Sequence, residues 1–495
     1  MFADTPLQEL DPILKKSWAA FHAYRKMSLK QRASFMKAIA LELENSGDEL
    51  IQIAMRETNL PEARLKGERA RTVFQLTSYA EACEEGSWLE ARIDTAIPDK
   101  TPPRPDIRKY LIPLGPIVVF GSSNFPFAYS TAGGDTACAF AAGCPVIVKA
   151  HPAHAETSHF VAQLIDRAAK QTGMPDGIFA HVFGFSNEVG KALVTHPFTK
   201  AVGFTGSFGG GKALFDWANQ RSEPIPVFSE MGSVNPVFLF PEKLKQSAAE
   251  IAGMYSTSIT LGVGQFCTNP GLIIGIESPM LDAFTNALGQ EIEKIAPGKM
   301  LHSGIAKAYA DKSDRAIHQE GVSVVAKSAT KPVESQGLPL IATVSGAAFI
   351  KNPLLHQEVF GPYSLVVKCK DKSEMLELSK KLEGQLTASL MATEQDILDH
   401  PDLVESVKNI CGRFIVNGVP TGVEVCLSMH HGGPFPATTD SRFTSVGADG
   451  IKRFARPIAL QNWPNALLPE ELKNENTLQI WRTVNNKLTK EKISS

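Results

Sequence analysis

Seven cysteines are scattered along the 495 residues, and one of them differs from the others in its surroundings. Cys267 lies in the run Gly262-Val-Gly-Gln-Phe-Cys-Thr-Asn-Pro-Gly271. Glycines on both sides let backbone N–H groups come close to a substrate oxygen and leave the sulfur reachable. A thiol placed in this way is a candidate nucleophile. Cys138 and Cys144 sit among alanines and Cys369 ends an apolar run, the setting of buried structural thiols. The same loop half-matches the dinucleotide fingerprint GxGxxG. Cys267 stands where the third glycine is required, so the fingerprint fails.

Two further polar residues stand where chemistry could use them. Glu230 ends the β-branched and aromatic run Pro226-Val-Phe-Ser-Glu. Desolvation at a strand end would raise its pKa toward neutrality, as suits a general base, whereas a solvated glutamate there would be inert. Asn124, in Gly121-Ser-Ser-Asn-Phe-Pro-Phe127, follows an apolar strand. Its amide could donate to a developing oxyanion, although taken alone it reads as a turn residue. Gly206-Ser-Phe-Gly-Gly-Gly-Lys-Ala213 has the spacing of a phosphate loop, with Ala213 where a Mg²⁺-binding hydroxyl belongs. A P-loop nucleotide-binding protein is therefore the remote alternative. The segment also follows a strand and opens a helix, a setting that suits a dinucleotide pyrophosphate.

The elements that must position these residues follow from periodicity. The first hundred residues read as helices: a Ser28/Gln31 capping box opens one that stops at Gly47, a second runs to Arg56 and a third starts near Pro61. From Ile117 short apolar runs (117–121, 145–149, 180–184, 201–205, 226–228) alternate with helical segments (131–142, 155–172, 210–219). That is the texture of a doubly wound α/β domain with a parallel sheet. Residues 272–417 repeat it, after a helix from Leu244. The composition is that of a soluble globular protein, with 43% apolar and 21% charged residues. A net charge of −2 gives no field for nucleic acid or an anionic membrane. The irregularly spaced cysteines offer neither a disulfide framework nor a zinc site, so no metal is expected. The uncharged stretches 110–134 and 251–276 carry too many prolines, glycines and polar groups for a lipid-facing helix. With no signal-peptide pattern at the start, the expected location is cytoplasmic.

Taken together, the segments resemble the aldehyde dehydrogenase superfamily. The pieces, in the family's order, are Pro113-Leu-Gly-Pro116, Gly121–Pro126, Val146-Ile-Val-Lys149, Gly203–Ser207, Glu230-Met-Gly232, Gly264-Gln-Phe-Cys267 and Glu358-Val-Phe-Gly-Pro362. Gly133–Thr136, Val148–His154, Pro420–Cys426 and Met429–Arg442 are similar to the 2-oxoglutarate-semialdehyde (2,5-dioxovalerate) dehydrogenase branch. A branch acting on fatty and other neutral aldehydes shares much of that texture and stays open, as does a catalytically silent family member.

The resemblance implies a Rossmann-like cofactor domain over 1–240, an α/β catalytic domain over 241–425, and a return of 426–495 to the cofactor domain. It also implies an oligomerisation arm, placed at 98–108, in a homodimer or homotetramer. Cys267 would attack the aldehyde, Asn124 and the Cys267 N–H would hold the oxyanion, and Glu230 would activate the hydrolytic water. Lys149, His151, Ser207, Glu358 and Phe360 would bind NADP or NAD. Pro152 occupies the position where NAD-specific members carry a carboxylate that repels a 2′-phosphate, so NADP is expected to be accepted. Phe127 and Arg442 are the expected substrate contacts, Arg442 as the cation for a terminal carboxylate, with a salt bridge to Asp440 or Asp449 as its alternative.

Overall fold

A computed structural model of the chain describes residues 2–493. Four helices lead: α1 (Leu7–Tyr24), α2 (Leu29–Glu44), α3 (Glu49–Thr58) and α4 (Glu62–Glu85). The expected capping box is formed, with Ser28 Oγ accepting from Gln31 N and Gln31 Oε1 accepting from Ser28 N, a motif that stabilises a helix start by about 1 kcal/mol. The first helix, α1, lies in the stretch expected to be helical but has no start signal of its own. It carries Pro12 inside, has no side-chain cap, and is held by Leu10, Leu14 and Phe21, which tertiary packing buries.

Two short strands follow, β1 (Arg92–Asp94) and β2 (Ile107–Pro113). The proline-rich stretch expected as an arm at 98–108 is mostly the connection between them, closed by an Ile97–Arg104 bridge. Next come β3 (Ile117–Phe120), α5 (Gly134–Ala142), β4 (Val146–Lys149), α6 (Ala155–Gln171), β5 (Phe179–Val182), α7 (Asn187–Thr195), β6 (Ala201–Thr205), α8 (Phe208–Asn219) and β7 (Val227–Glu230). These strands form an all-parallel sheet in the order β5-β4-β3-β6-β7. The order reverses between β3 and β6, and such a switch point opens a crevice beyond the carboxyl ends of the strands. Alanine-rich α5 is buried along its length and lets α2 and α4 pack closely on it, with Phe35 and Phe140 ring to ring.

A second sheet begins earlier than the expected boundary at 240. The strand β8 (Val237–Leu239) already belongs to it, so the chain changes domain between Glu230 and Val237. After α9 (Pro241–Thr260) come β9 (Leu272–Ile276), β10 (Gly298–Lys299), β11 (Ser323–Lys327), β12 (Gln336–Gly337), β13 (Leu340–Ser345), β14 (Tyr363–Cys369), β15 (Gln385–Met391) and β16 (Cys411–Val416). The seven-stranded order is β11-β13-β14-β9-β8-β15-β16, with β10 and β12 pairing apart from it. Apolar clusters on both faces bury this sheet. The chain then returns. Thr438 bridges Glu230 at the free edge of β7, and Met231 N donates to Ala437 O at 2.8 Å. Finally β17 (Ala455–Gln461), β18 (Arg482–Val484) and β19 (Lys487–Thr489) join β1 and β2 in a third sheet, ordered β17-β2-β1-β18-β19.

Candidate active site

The loop that carries Cys267 is held in an unusual backbone conformation. Gly262, Val263 and Gly264 all have positive φ, of 55°, 59° and 65°. A β-branched residue there is strained, and such strain persists only where surroundings over-determine it. Here they do. A Cβ on Gly264 would lie 2.3 Å from the Gly361 carbonyl, and the Val263 side chain fills the space left by Gly298 and Gly337. On the other side Asn235 Nδ2 donates to Cys267 O and Asn269 O, both at 2.9 Å. Gln385 Oε1 accepts from Val234 N at 2.8 Å and Ser233 Oγ at 2.9 Å, which fixes the crossing segment to β15.

Three side chains from distant parts of the chain converge on the sulfur. Cys267 Sγ, a Glu230 carboxylate oxygen and a His431 ring nitrogen all lie within 4.8 Å of one another. His431 Nε2 is 3.0 Å from Glu230 Oε1 and 3.6 Å from Cys267 Sγ, and Ser445 Oγ donates to Glu230 Oε2 at 2.6 Å. A carboxylate partner selects the Nε2–H tautomer of the imidazole. Burial pushes the Glu230 carboxyl up. The neighbouring His431, its hydrogen bond and that of Ser445 more than offset this, so Glu230 titrates below the usual carboxylate range. This corrects the expectation of a carboxyl raised toward neutrality. Burial, and then the Glu230 charge, raise the Cys267 thiol well above its ordinary value. The resting nucleophile is therefore a protonated thiol beside an ionised acceptor. His431 had no role in the sequence reading. Its only signal was a His-His pair in a Gly/Pro-rich return, and nothing local says that His431, and not His430, is buried.

Cys267 sits where two cavities meet. One, of about 420 Å³, is bordered by Asn124, His151, Ser207, Glu230, Glu358 and Phe360 among others. This brings together most of the residues expected around a dinucleotide, at the switch point of the first sheet. Ser207 caps α8 by accepting from Gly210 N at 3.3 Å, and Gly206, Ser207 and Gly210 face the cavity, presenting the positive end of the helix to it. A Cβ on Gly232 would lie 2.7 Å from Glu358 Oε2, so only glycine leaves room for that carboxylate. Burial raises Glu358 to about 7, against the opposing Lys312 charge. Burial keeps His151 neutral. Lys149 ends β4 and lies over Gly184, with its pKa lowered to about 8 by burial. A glycine-lined helix start and a half-buried carboxylate for a diol suit NAD or NADP chemically. Asn124 Nδ2 donates to Gln265 O at 3.1 Å, which leaves its second N–H for the cavity beside Cys267.

The other cavity, of about 470 Å³, runs from Cys267 between α4 and the loops at Phe125, Phe266 and Val423, with Arg64 and Arg71 in its wall. Neither expected substrate contact borders it. Phe127 is 1% exposed and packs in the core of the first domain, because Glu68 pins the Phe127 and Ala128 N–H groups and turns the ring inward. Arg442 is exposed and forms a bidentate pair with Asp440, the alternative weighed for it. Lys212 of the near-miss phosphate loop is likewise engaged, by Asp216 one turn along α8 at 2.6 Å, which removes the lysine that a P-loop would aim at phosphate.

Comparison with known proteins accords with this geometry. The model of the aldehyde dehydrogenase family matches residues 2–433. The chain is 49% identical over 464 residues to alpha-ketoglutaric semialdehyde dehydrogenase 2 of Azospirillum brasilense, covering 94% of this chain and 88% of that one. It is 45% identical over 491 residues to the alpha-ketoglutaric semialdehyde dehydrogenase of Acinetobacter baylyi, covering 99% and 93%. Among solved structures, betaine aldehyde dehydrogenase of Staphylococcus aureus shares the fold, with a TM-score of 0.79 at 17% identity over 94% of this chain and 91% of that one.

Proposed function

Since the chain belongs to the aldehyde dehydrogenase family, whose enzymes use NAD or NADP, we propose that it oxidises 2-oxoglutarate semialdehyde to 2-oxoglutarate through a thioester on Cys267. The observation that carries this is the position of Cys267 Sγ at the junction of a cofactor-like cavity and a second cavity with two arginines. The names of the two relatives support the substrate.

The residues divide the work as follows. Cys267 loses its proton to solvent and adds as the thiolate to the aldehyde carbon, forming the thiohemiacetal oxyanion while Glu230 stays ionised. The free N–H of Asn124 and the Cys267 backbone N–H stabilise the oxyanion. When bound, the dinucleotide supplies the hydride acceptor, held by Glu358 and Phe360 at one end and by Ser207 and the start of α8 along the pyrophosphate, with Lys149 and His151 toward the adenosine. Glu230, held in place by His431 and Ser445, then takes a proton from the water that hydrolyses the thioester. A nucleophile that must stay a free thiol belongs in a reducing cytoplasm. Among the described residues no helix is long and apolar enough to cross a membrane. Among the described residues β17 closes one side of the third sheet with its outer edge unpaired, which supports assembly into a homodimer or homotetramer across that edge.

The test is a kinetic panel of aldehydes, each with NAD and NADP. The proposal expects the keto-acid semialdehyde to have the highest kcat/KM and NADP to be accepted, since Pro152 offers no carboxylate against a 2′-phosphate. A preference for long neutral aldehydes would overturn the substrate. An NADP efficiency below about a thousandth of that with NAD, roughly 4 kcal/mol of discrimination, would overturn the cofactor expectation.

A further inference from the structure

Three charged residues of α4 at positions 64, 68 and 71 lie one turn apart on one face, and all three border the cavity that ends at Cys267. They are not equivalent. Glu68 is committed to the backbone: Oε1 accepts from Phe127 N at 2.9 Å and Ala128 N at 3.0 Å. Arg64 is committed to Glu68 and to aromatic rings. Its Nη2 is 3.6 Å from Glu68 Oε2, and its guanidinium lies 4.5 Å from the Phe125 centroid and 4.8 Å from that of Phe266. Arg71 has no carboxylate within salt-bridge distance among the described residues. Nη1 donates to Val423 O, and Nε is buried with no partner. Two guanidinium groups thus face one carboxylate, leaving a single positive charge unmatched in a largely apolar cavity. Arg71 is half-buried, and a cation with an idle buried donor in such a setting is favoured by an anion that completes it. Tyr129 and Cys267 border the same cavity as Arg71, which sets the cation and the reacting sulfur on one enclosed space.

We infer that Arg71 is the seat of the substrate's far carboxylate, with Arg64 as the flanking cation, so that α4 selects a short aldehyde carrying one terminal negative charge; this rests on the semialdehyde reading above. A guanidinium can hold a carboxylate through two parallel N–H donors, whereas an ammonium offers only a point charge. Arg71 therefore discriminates by geometry as well as by charge.

The experiment compares wild type, Arg71→Gln and Arg71→Lys on 2-oxoglutarate semialdehyde and on pentanal, a neutral aldehyde of equal carbon count. It also measures competitive inhibition by 2-oxoglutarate. In Arg71→Gln, KM for the acid aldehyde should rise about thirtyfold, the size of a lost charged hydrogen bond, and at least tenfold more than KM for pentanal. Arg71→Lys keeps the charge but not the fork, and should weaken 2-oxoglutarate inhibition while retaining most of the pentanal rate. Equal losses on both aldehydes, in a protein whose wild type favours the acid, would overturn the assignment of Arg71 and leave the substrate standing. A wild type indifferent to the terminal carboxylate would overturn both.

Discussion

Replacing Glu230 by Gln perturbs two things at once, and the structure predicts opposite signs for them. The first is the field on Cys267. The reacting atoms lie within 4.8 Å of each other in a buried site. A unit charge at that separation contributes about 3.5 kcal/mol at an effective dielectric constant near 20. That energy disfavours the thiolate, so removing the carboxylate charge should raise the thiolate fraction at neutral pH by roughly 300-fold. A less basic thiolate is also a poorer nucleophile, with a Brønsted coefficient of about 0.4–0.5, so the net gain in alkylation rate shrinks to roughly twentyfold. The second effect is loss of the base for hydrolysis. Glu230→Gln should therefore react with iodoacetamide faster than wild type near pH 7, yet turn over aldehyde slowly after a burst of reduced cofactor. Alkylation followed by mass spectrometry of the Cys267 peptide, beside stopped-flow absorbance, reads both. Slower alkylation in Glu230→Gln would refute the reasoning, since it would mean that the carboxylate promotes thiolate formation more than its charge opposes it.

Other outcomes follow from the same geometry. His431→Asn removes a donor that holds Glu230 below the usual carboxylate range, so the acid limb of the kcat profile should move to higher pH and kcat should fall about tenfold or more, while KM for the cofactor stays nearly constant. Glu358 is raised to about 7 by burial. It is ionised above that pH and protonated below it, so KM for NAD(P) should climb as pH drops from 8 to 6, and titration of cofactor fluorescence should show this dependence vanish in Glu358→Gln. Gly264→Ala would put a methyl 2.3 Å from the Gly361 carbonyl at a φ of +65°, a local cost of roughly 2–5 kcal/mol; activity should collapse while thermal melting shifts by only a few degrees. Cys267→Ala should abolish aldehyde oxidation and leave cofactor affinity intact, and turnover within about tenfold of wild type would displace it as nucleophile.

The parts of the site legible in the sequence are those carried by local pattern. Strand–turn–helix alternation located the carboxyl ends of β3, β6 and β7, and with them Asn124, Ser207 and Glu230. The glycines around Cys267 announced a tight loop, and the structure shows why they are needed. What was not legible depends on who sits next to whom. Glu230 was read as a desolvated carboxyl with a raised pKa. It is held below the usual carboxylate range by His431 and Ser445, which arrive from more than 200 residues away. Arg442 is the expected cation for a terminal carboxylate, yet Asp440, two residues off, captures it. Arg71 stands 352 residues from its partner Val423, on a helix whose many charges look like an ordinary solvated face until the fold shows which one is enclosed.

The closure of the return segment on β7 also sets a clock. Asn124 meets the Cys267 loop across 141 residues, and His431 meets Glu230 across 201. Both domains can complete their own sheets before either contact exists, and large proteins generally fold domain by domain. The catalytic cluster is then among the last things to assemble, after most secondary structure and most buried surface. During refolding, recovered activity should lag behind recovered ellipticity. A single cut in the chain between β16 and Gly432 should silence the enzyme while leaving the five-stranded and seven-stranded sheets folded.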